Sequence, residues 1–189
     1  MSETSPAADP AAQSTYQVRF DQGAHGARRI ATGADVLVWA DQVGAGTSDA
    51  DAATAPPADV LGLAPAVVLA RLGDAPAVAA WILAEQERLG RRAFLAIVAA
   101  GRTDGGFAAD DVLAAGAVID ALAELGIDDT SPEAAVACAS FTGLRRAVAH
   151  LATASVGGRE AIAAGAEPAV LRAAAIRDGE AVARVLTPR

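Results

Sequence analysis

The chain of 189 residues contains no lysine: its fifteen positive charges are all arginine, against twenty-three acids, for a net charge of −8. Nucleic acid binding needs a positive surface to displace counterions, so no nucleic-acid partner is expected. A few arginines and backbone N–H groups can still bind one phosphate locally. The only cysteine is Cys138, so an intrachain disulfide and a cysteine-rich zinc site are ruled out. Within the run PEAAVACASF it reads as a plain buried thiol. No apolar run reaches the ~18 residues of a membrane span. The start MSETSPAADPAAQS lacks the basic end and apolar centre of a signal peptide. The expectation is a cytoplasmic protein with no membrane partner. Aromatic residues make up only 4%, so small side chains, alanine above all, must build the core. No G-x-S-x-G, H-E-x-x-H or Walker sequence occurs, and GRTDGG lacks dinucleotide-loop spacing. His25 and His150 share no ligand spacing.

What is present alternates between strand-like and helix-like runs. Residues 1–15 are rich in Ala, Ser, Pro and acid and read as a disordered tail. Residues 16–189 then form a single α/β domain. Tyr16–Phe20 alternates apolar and polar residues, as an edge strand does. A helical turn follows around Ala27–Ala31, and ADVLVWA, ending at Ala40, is a buried strand. Residues 42–60 hold a polar, low-complexity loop, unusually long for a compact domain. It reads as a cover over a site or as the scar of a deletion. Ala66–Ala70 is another strand. Asp74 is placed to cap a helix over Ala75–Leu89, with Pro76 in its first turn. Ala93–Ala99 is apolar on both faces, as a central parallel strand must be.

Further helices are expected over Asp110–Leu125, from a capping box at Thr130 and Glu133, and over Leu144–Ala152 after a break at Gly143. Two more cover Arg159–Ala164 and Pro168–Ile176, and a last strand covers Ala181–Leu186. The alternation predicts a three-layer α/β/α sandwich with a mixed, largely parallel sheet.

The candidate chemistry centres on FLAIVAAGRTDGGFAADDVLAAGAVIDALAEL: a buried strand, a Gly-rich loop, and a helix opening on two acids. Asp110 and Asp111 have the oxygen chemistry to hold Mg²⁺, with Asp104 as a third source. The more ordinary reading of the same pair is Asp110 as an N-cap and Asp111 as a first-turn acid. Gly101, Gly105 and Gly106 flank Arg102, and such glycines either let backbone N–H groups approach a phosphate or simply supply positive φ. In SVGGRE, Gly157 and Gly158 precede Arg159, whose fork of donors suits an anion, or forms a turn with a surface arginine. Asp41 closes an apolar strand, where active-site groups and turn formers both sit.

These residues carry a family resemblance. IVAAG…GGFAADDVLAAGAVIDAL is similar to the acidic-pair segment of the 2-phosphosulfolactate phosphatase family, with its Leu-x-x-Ala-Gly-Ala helix. SPEAAVA, SVGGREAIAAG, DAPAVAAWI and YQVRFDQGAHGARRIATGADVLVWAD resemble four further segments, in the same order. The resemblance implies an α/β/α fold and Mg²⁺-dependent hydrolysis of a phosphate monoester on a small acidic compound. It implies metal ligation by Asp110 and Asp111, substrate binding by Gly157, Gly158 and Arg159, and catalytic roles for Asp41 and Arg159.

The chain also departs from that pattern. Gln42–Gly46 replaces an arginine and hydroxyl residues, and Thr47–Pro57 stands in place of several dozen residues. Asp110 replaces a glutamate. Such losses remove parts of a phosphate pocket, so a non-catalytic family member that binds ligand or assembles is the alternative expectation. A deletion that opens a strand edge invites self-association, so a homo-oligomer is also expected.

Overall fold

The computed structural model describes residues 9–44, 55–176 and 182–187. In chain order the elements are β1 (Val18–Gln22), α1 (Gly23–Ile30), β2 (Val36–Ala40), α2 (Ala58–Leu61), β3 (Ala66–Ala70), α3 (Ala75–Leu89) and β4 (Leu95–Ala99). They continue with α4 (Ala109–Glu124), α5 (Pro132–Leu144), α6 (Val148–Ala154), α7 (Val156–Ala163), α8 (Pro168–Ala174) and β5 (Arg184–Val185). The sheet runs β1-β4-β2-β3-β5, and only the β3–β5 pairing is antiparallel. The fold is the mixed, largely parallel α/β/α sandwich expected from the alternating runs.

The three inner strands are buried along their whole length, and their side chains alternate between two cores. Val36, Val38, Val68, Leu95 and Ile97 pack towards α3, α4 and α5, whereas Leu37, Trp39, Leu69, Ala96 and Val98 pack towards α1 and α2. Alanines and valines on the sheet let α4 settle so deeply that twelve of its sixteen residues are buried. Among the described residues no helix is long and apolar enough to cross a membrane.

Several local expectations give way to tertiary contacts. Residues 9–15 are not a tail. Asp9 caps a short 3-10 turn over Pro10–Ala12, and the buried Gln13 side chain exchanges two hydrogen bonds, of 2.9 and 2.8 Å, with the backbone of Phe20. That amide stands in for a neighbouring strand and blunts the outer edge of β1. Residues 1–8 lie outside the described residues, as do residues 45–54 of the expected loop. Asp74 does not cap α3: its carboxylate accepts from Arg71 N and Arg184 instead. Ser131, accepting from Ala134 N at 3.1 Å, caps α5 in place of the expected Thr130 box. Gly143 continues α5 rather than breaking it, and β5 is shorter than the run that predicted it. Cys138 is only half-buried, and burial together with the Asp120 carboxylate pushes its thiol pKa up.

Asp35 joins the entrances of β2 and β4. It meets Arg91 through two hydrogen bonds of 2.8 and 2.9 Å and accepts from Phe94 N at 2.9 Å. The Arg91 hydrogen bond holds its carboxyl below the ordinary value of 3.8. A lowered folded pKa means that this stabilisation is present above the unfolded value and is lost as pH falls through the folded one. Asp35→Ala is expected to cost about 1–2 kcal/mol at pH 7, mostly from the orphaned Phe94 N–H, because the Arg91 pair is exposed. Denaturant titrations at pH 7 and pH 3 should show the gap narrowing in acid. An unchanged gap would refute the assignment.

Candidate active site at the carboxyl edge of the sheet

The parallel strands β2, β3 and β4 all deliver their C-terminal ends to one edge, where α/β folds place their sites. Asp41 follows β2 directly, with its backbone N–H donating to Ala70 O at 3.0 Å. The Gly-rich loop follows β4 and leads into α4, whose first turn holds Asp110 and Asp111. The N-cap position is Ala108, which offers no side-chain acceptor, so neither aspartate is the cap. Both sit at the positive end of the helix, which favours carboxylates there. Asp41, Asp110 and Asp111 are 4%, 2% and 3% exposed.

Burial beside other carboxylates makes Asp110 and Asp111 costly to ionise. Burial raises the pKa of Asp110, and the Asp41 charge adds to the rise. Asp111 is pushed well above the ordinary carboxylate value, first by burial and then by Asp110 and Asp41.

Their hydrogen bonding separates their roles. Asp111 accepts from Gln42 N and from Gly101 N, each at 2.9 Å. It therefore straps the ends of β2 and β4 to α4, a structural duty that lies beside the metal-ligand role expected for it. Asp110 Oδ1 is buried with no hydrogen-bond partner. A buried carboxylate oxygen in that state calls for a partner, and an ion is one that would supply it. Gln42, 1% exposed, extends the strap by accepting from Leu72 N at 2.7 Å through Oε1. Sequence reasoning missed Gln42 because its partners lie 69 and 30 residues away.

A cavity of about 420 Å³ opens beside these acids, a volume suited to a small ligand. Trp39 and Asp41 line it together with the start of α1, Pro57 and the loop Gly101–Gly106. No side chain caps the first turn of α1, whose amides have no partners within the helix.

The SVGGRE motif lies elsewhere than expected. Gly157 and Gly158 are inside α7, not before it. A Cβ added at Gly157 would lie 2.8 Å from Asp110 Oδ2, and one at Gly158 would lie 2.0 Å from Ala152 O. Both glycines are thus required by close packing, and Gly157 is what lets α7 abut Asp110. Arg159 is exposed and lines a separate depression with Thr153, Ala154, Ile162 and Ala163, apart from the three acids. Asp104 turns to Arg102 and to Gly106 N instead of joining the cluster. Among the described residues no group of three or more His, Cys, Asp or Glu is arranged to hold a metal ion. Asp110 thus brings a bare oxygen to this edge and Asp41 a second buried carboxylate; one or two protein carboxylates is the number Mg²⁺ usually takes when substrate phosphate and water supply the rest.

No family model and no curated protein matches the chain.

Proposed function

We propose that the protein is a divergent phosphatase resembling the 2-phosphosulfolactate phosphatases, hydrolysing a small acidic phosphate monoester with Mg²⁺. The observation that carries this reading is the buried, unpartnered Oδ1 of Asp110, in an acidic cluster whose Asp41 lines a ligand-sized cavity. A cation is the group that would relieve the mutual repulsion of Asp41 and Asp110 and satisfy that oxygen. When bound, Mg²⁺ supplies neutralising charge to the phosphoryl oxygens. Asp110 would be its ligand. Asp41, the member of the cluster that lines the cavity, would serve as second ligand or as the acid–base group. Asp111 would act at one remove, holding Gly101 and Gln42 so that both strand ends keep their register. The open first turn of α1 favours an ester that carries a further acidic group.

Purified protein is expected to hydrolyse 2-phosphosulfolactate in the presence of Mg²⁺ and to stop when EDTA is added. Turnover no greater than that of an Asp110→Ala/Asp111→Ala control would sink the proposal. A second reading, a scaffold that binds without turnover, draws on the diversion of Asp111 and the displacement of Arg159 from the cluster. Isothermal titration showing ester and Mg²⁺ binding without hydrolysis would favour it.

A further inference from the structure

We propose that Arg102 is the phosphate anchor of this site, held in reserve by a carboxylate latch to α7. The inference takes its ligand, a phosphate group, from the phosphatase reading. An ester dianion entering a cavity walled by Asp41, in a protein of net charge −8, needs a local positive charge. Among the described lining residues Arg102 is the only cation. Arg159 does not line this cavity.

The Gly-rich loop is shaped around that side chain. Gly101 and Gly105 have φ of 76° and 80°, a region in which a side chain is strained. Arg102 N donates to Gly106 O at 3.1 Å, and Gly105 N donates to Arg102 O at 2.9 Å, closing a tight clasp. A Cβ at Gly106 would lie 2.9 Å from Asp104 Oδ1, 3.2 Å from Arg102 Cδ and 3.4 Å from its Nε, so the Arg102 stem and its carboxylate partner lie across this glycine.

The present partners of Arg102 are weak competitors for it. It meets Asp104 at 3.2 Å and Glu160 at 3.4 Å, and those carboxylates are 62% and 54% exposed. Both pairs are open to solvent, which weakens them, and although Asp104 meets the guanidinium at two points, a phosphate does so with twice the charge. A phosphate in the cavity would therefore exchange with Glu160 and release the loop from α7. Glu160 acts here as a positioning residue, setting how readily Arg102 becomes available.

The test uses inorganic phosphate as the probe, titrated calorimetrically into the full chain with Mg²⁺ present. Arg102→Gln is expected to weaken binding about tenfold or more, and Arg159→Gln to leave it unchanged. Glu160→Gln is expected to tighten binding two- to fivefold with Arg102 present and not at all in the Arg102→Gln background. That dependence separates a latch on Arg102 from a general change of field. Equal tightening in both backgrounds overturns the inference. So does unchanged binding in Arg102→Gln, provided its melting curve matches the parent, or a wild-type protein that binds no phosphate. Ester turnover with KM unaltered by Arg102→Gln would reject the anchor and leave the phosphatase reading standing. Phosphate held through Arg102 without any turnover would do the reverse.

Discussion

Alanine at Gly116 is expected to lower the melting temperature by roughly 10 °C, although alanine is ordinarily the better helix former. The usual gain on replacing a mid-helix glycine is about 1 kcal/mol. Here a Cβ would sit 2.2 Å from Ala137 O and 2.9 Å from Phe141 Cβ. Ala137 belongs to α5 and is 1% exposed, so its carbonyl cannot retreat without moving the helix. Relief requires α4 and α5 to separate along their main contact, and overpacking of this severity costs at least about 3 kcal/mol. For a chain of this size each kcal/mol corresponds to ~2–4 °C. Gly158→Ala meets the same obstacle at Ala152 O and should behave alike. Gly143→Ala is the control: nothing lies within 4 Å of its added Cβ, so it should be neutral or stabilising by about 0.5 kcal/mol. Thermal melts followed by circular dichroism decide the matter, and a Gly116→Ala melt within 2 °C of wild type would refute it.

That contrast shows which features of the chain could be read in advance. The bounds of β3 and α3 follow from their own residues, an unbroken apolar run and a helical repeat that stops at Gly90. Gly116 and Gly158 are different: Gly116 is one small residue inside an alanine-rich helical run and Gly158 reads as an anion contact or a turn, yet each is a crossing point between helices. The signal for that role is a partner carbonyl on another helix, which no local pattern reveals. The acids behave similarly. Asp110 and Asp111 are adjacent and chemically identical, yet one straps two strand ends and the other is left with a bare oxygen. Their difference arises from Gln42 and Gly101, brought near by the sheet. Gln13 was invisible for a converse reason. Its surroundings have the composition of a tail, but a single amide matched to the β1 edge holds the segment in place. Arg159 was misplaced because a Gly-Gly-Arg string resembles an anion loop, whereas α7 begins earlier and turns the arginine outward.

The divided roles of the acidic pair predict opposite outcomes for two like substitutions. Asp110→Asn should raise the metal-free melting temperature at pH 8 by several degrees and eliminate Mg²⁺-dependent turnover. The folded pKa values of Asp110 and Asp111 are both raised above the ordinary 3.8. A raised folded pKa means that the favourable contribution is complete below the unfolded value and disappears as pH climbs through the folded one. Wild-type stability without metal should therefore decline as pH rises from about 4 towards 8. Asparagine at position 110 removes one buried charge and one source of repulsion on Asp111, so the decline should flatten. Oδ1 has no partner to lose, and the amide oxygen of asparagine can keep the hydrogen bonds that the other oxygen accepts from its own backbone N–H and from Ser155.

Asp111→Asn is not equivalent. Two backbone N–H groups, from Gln42 and Gly101, need an acceptor oxygen each. An amide offers one oxygen and turns an N–H₂ group against the other donor. The unsatisfied donor costs about 1–3 kcal/mol, so this variant should melt below Asp110→Asn at every pH. Added Mg²⁺ should raise the melting temperature of wild type through preferential binding to the folded state, and should not raise that of Asp110→Asn. Trading stability against function in this way is expected where a charge is kept buried for use rather than for folding. Melting curves at pH 5 and pH 8, with and without Mg²⁺, test all of these expectations together. Destabilisation of Asp110→Asn to the level of Asp111→Asn would show that Asp110 is as structural as its neighbour and would remove the main support for a cation at this edge.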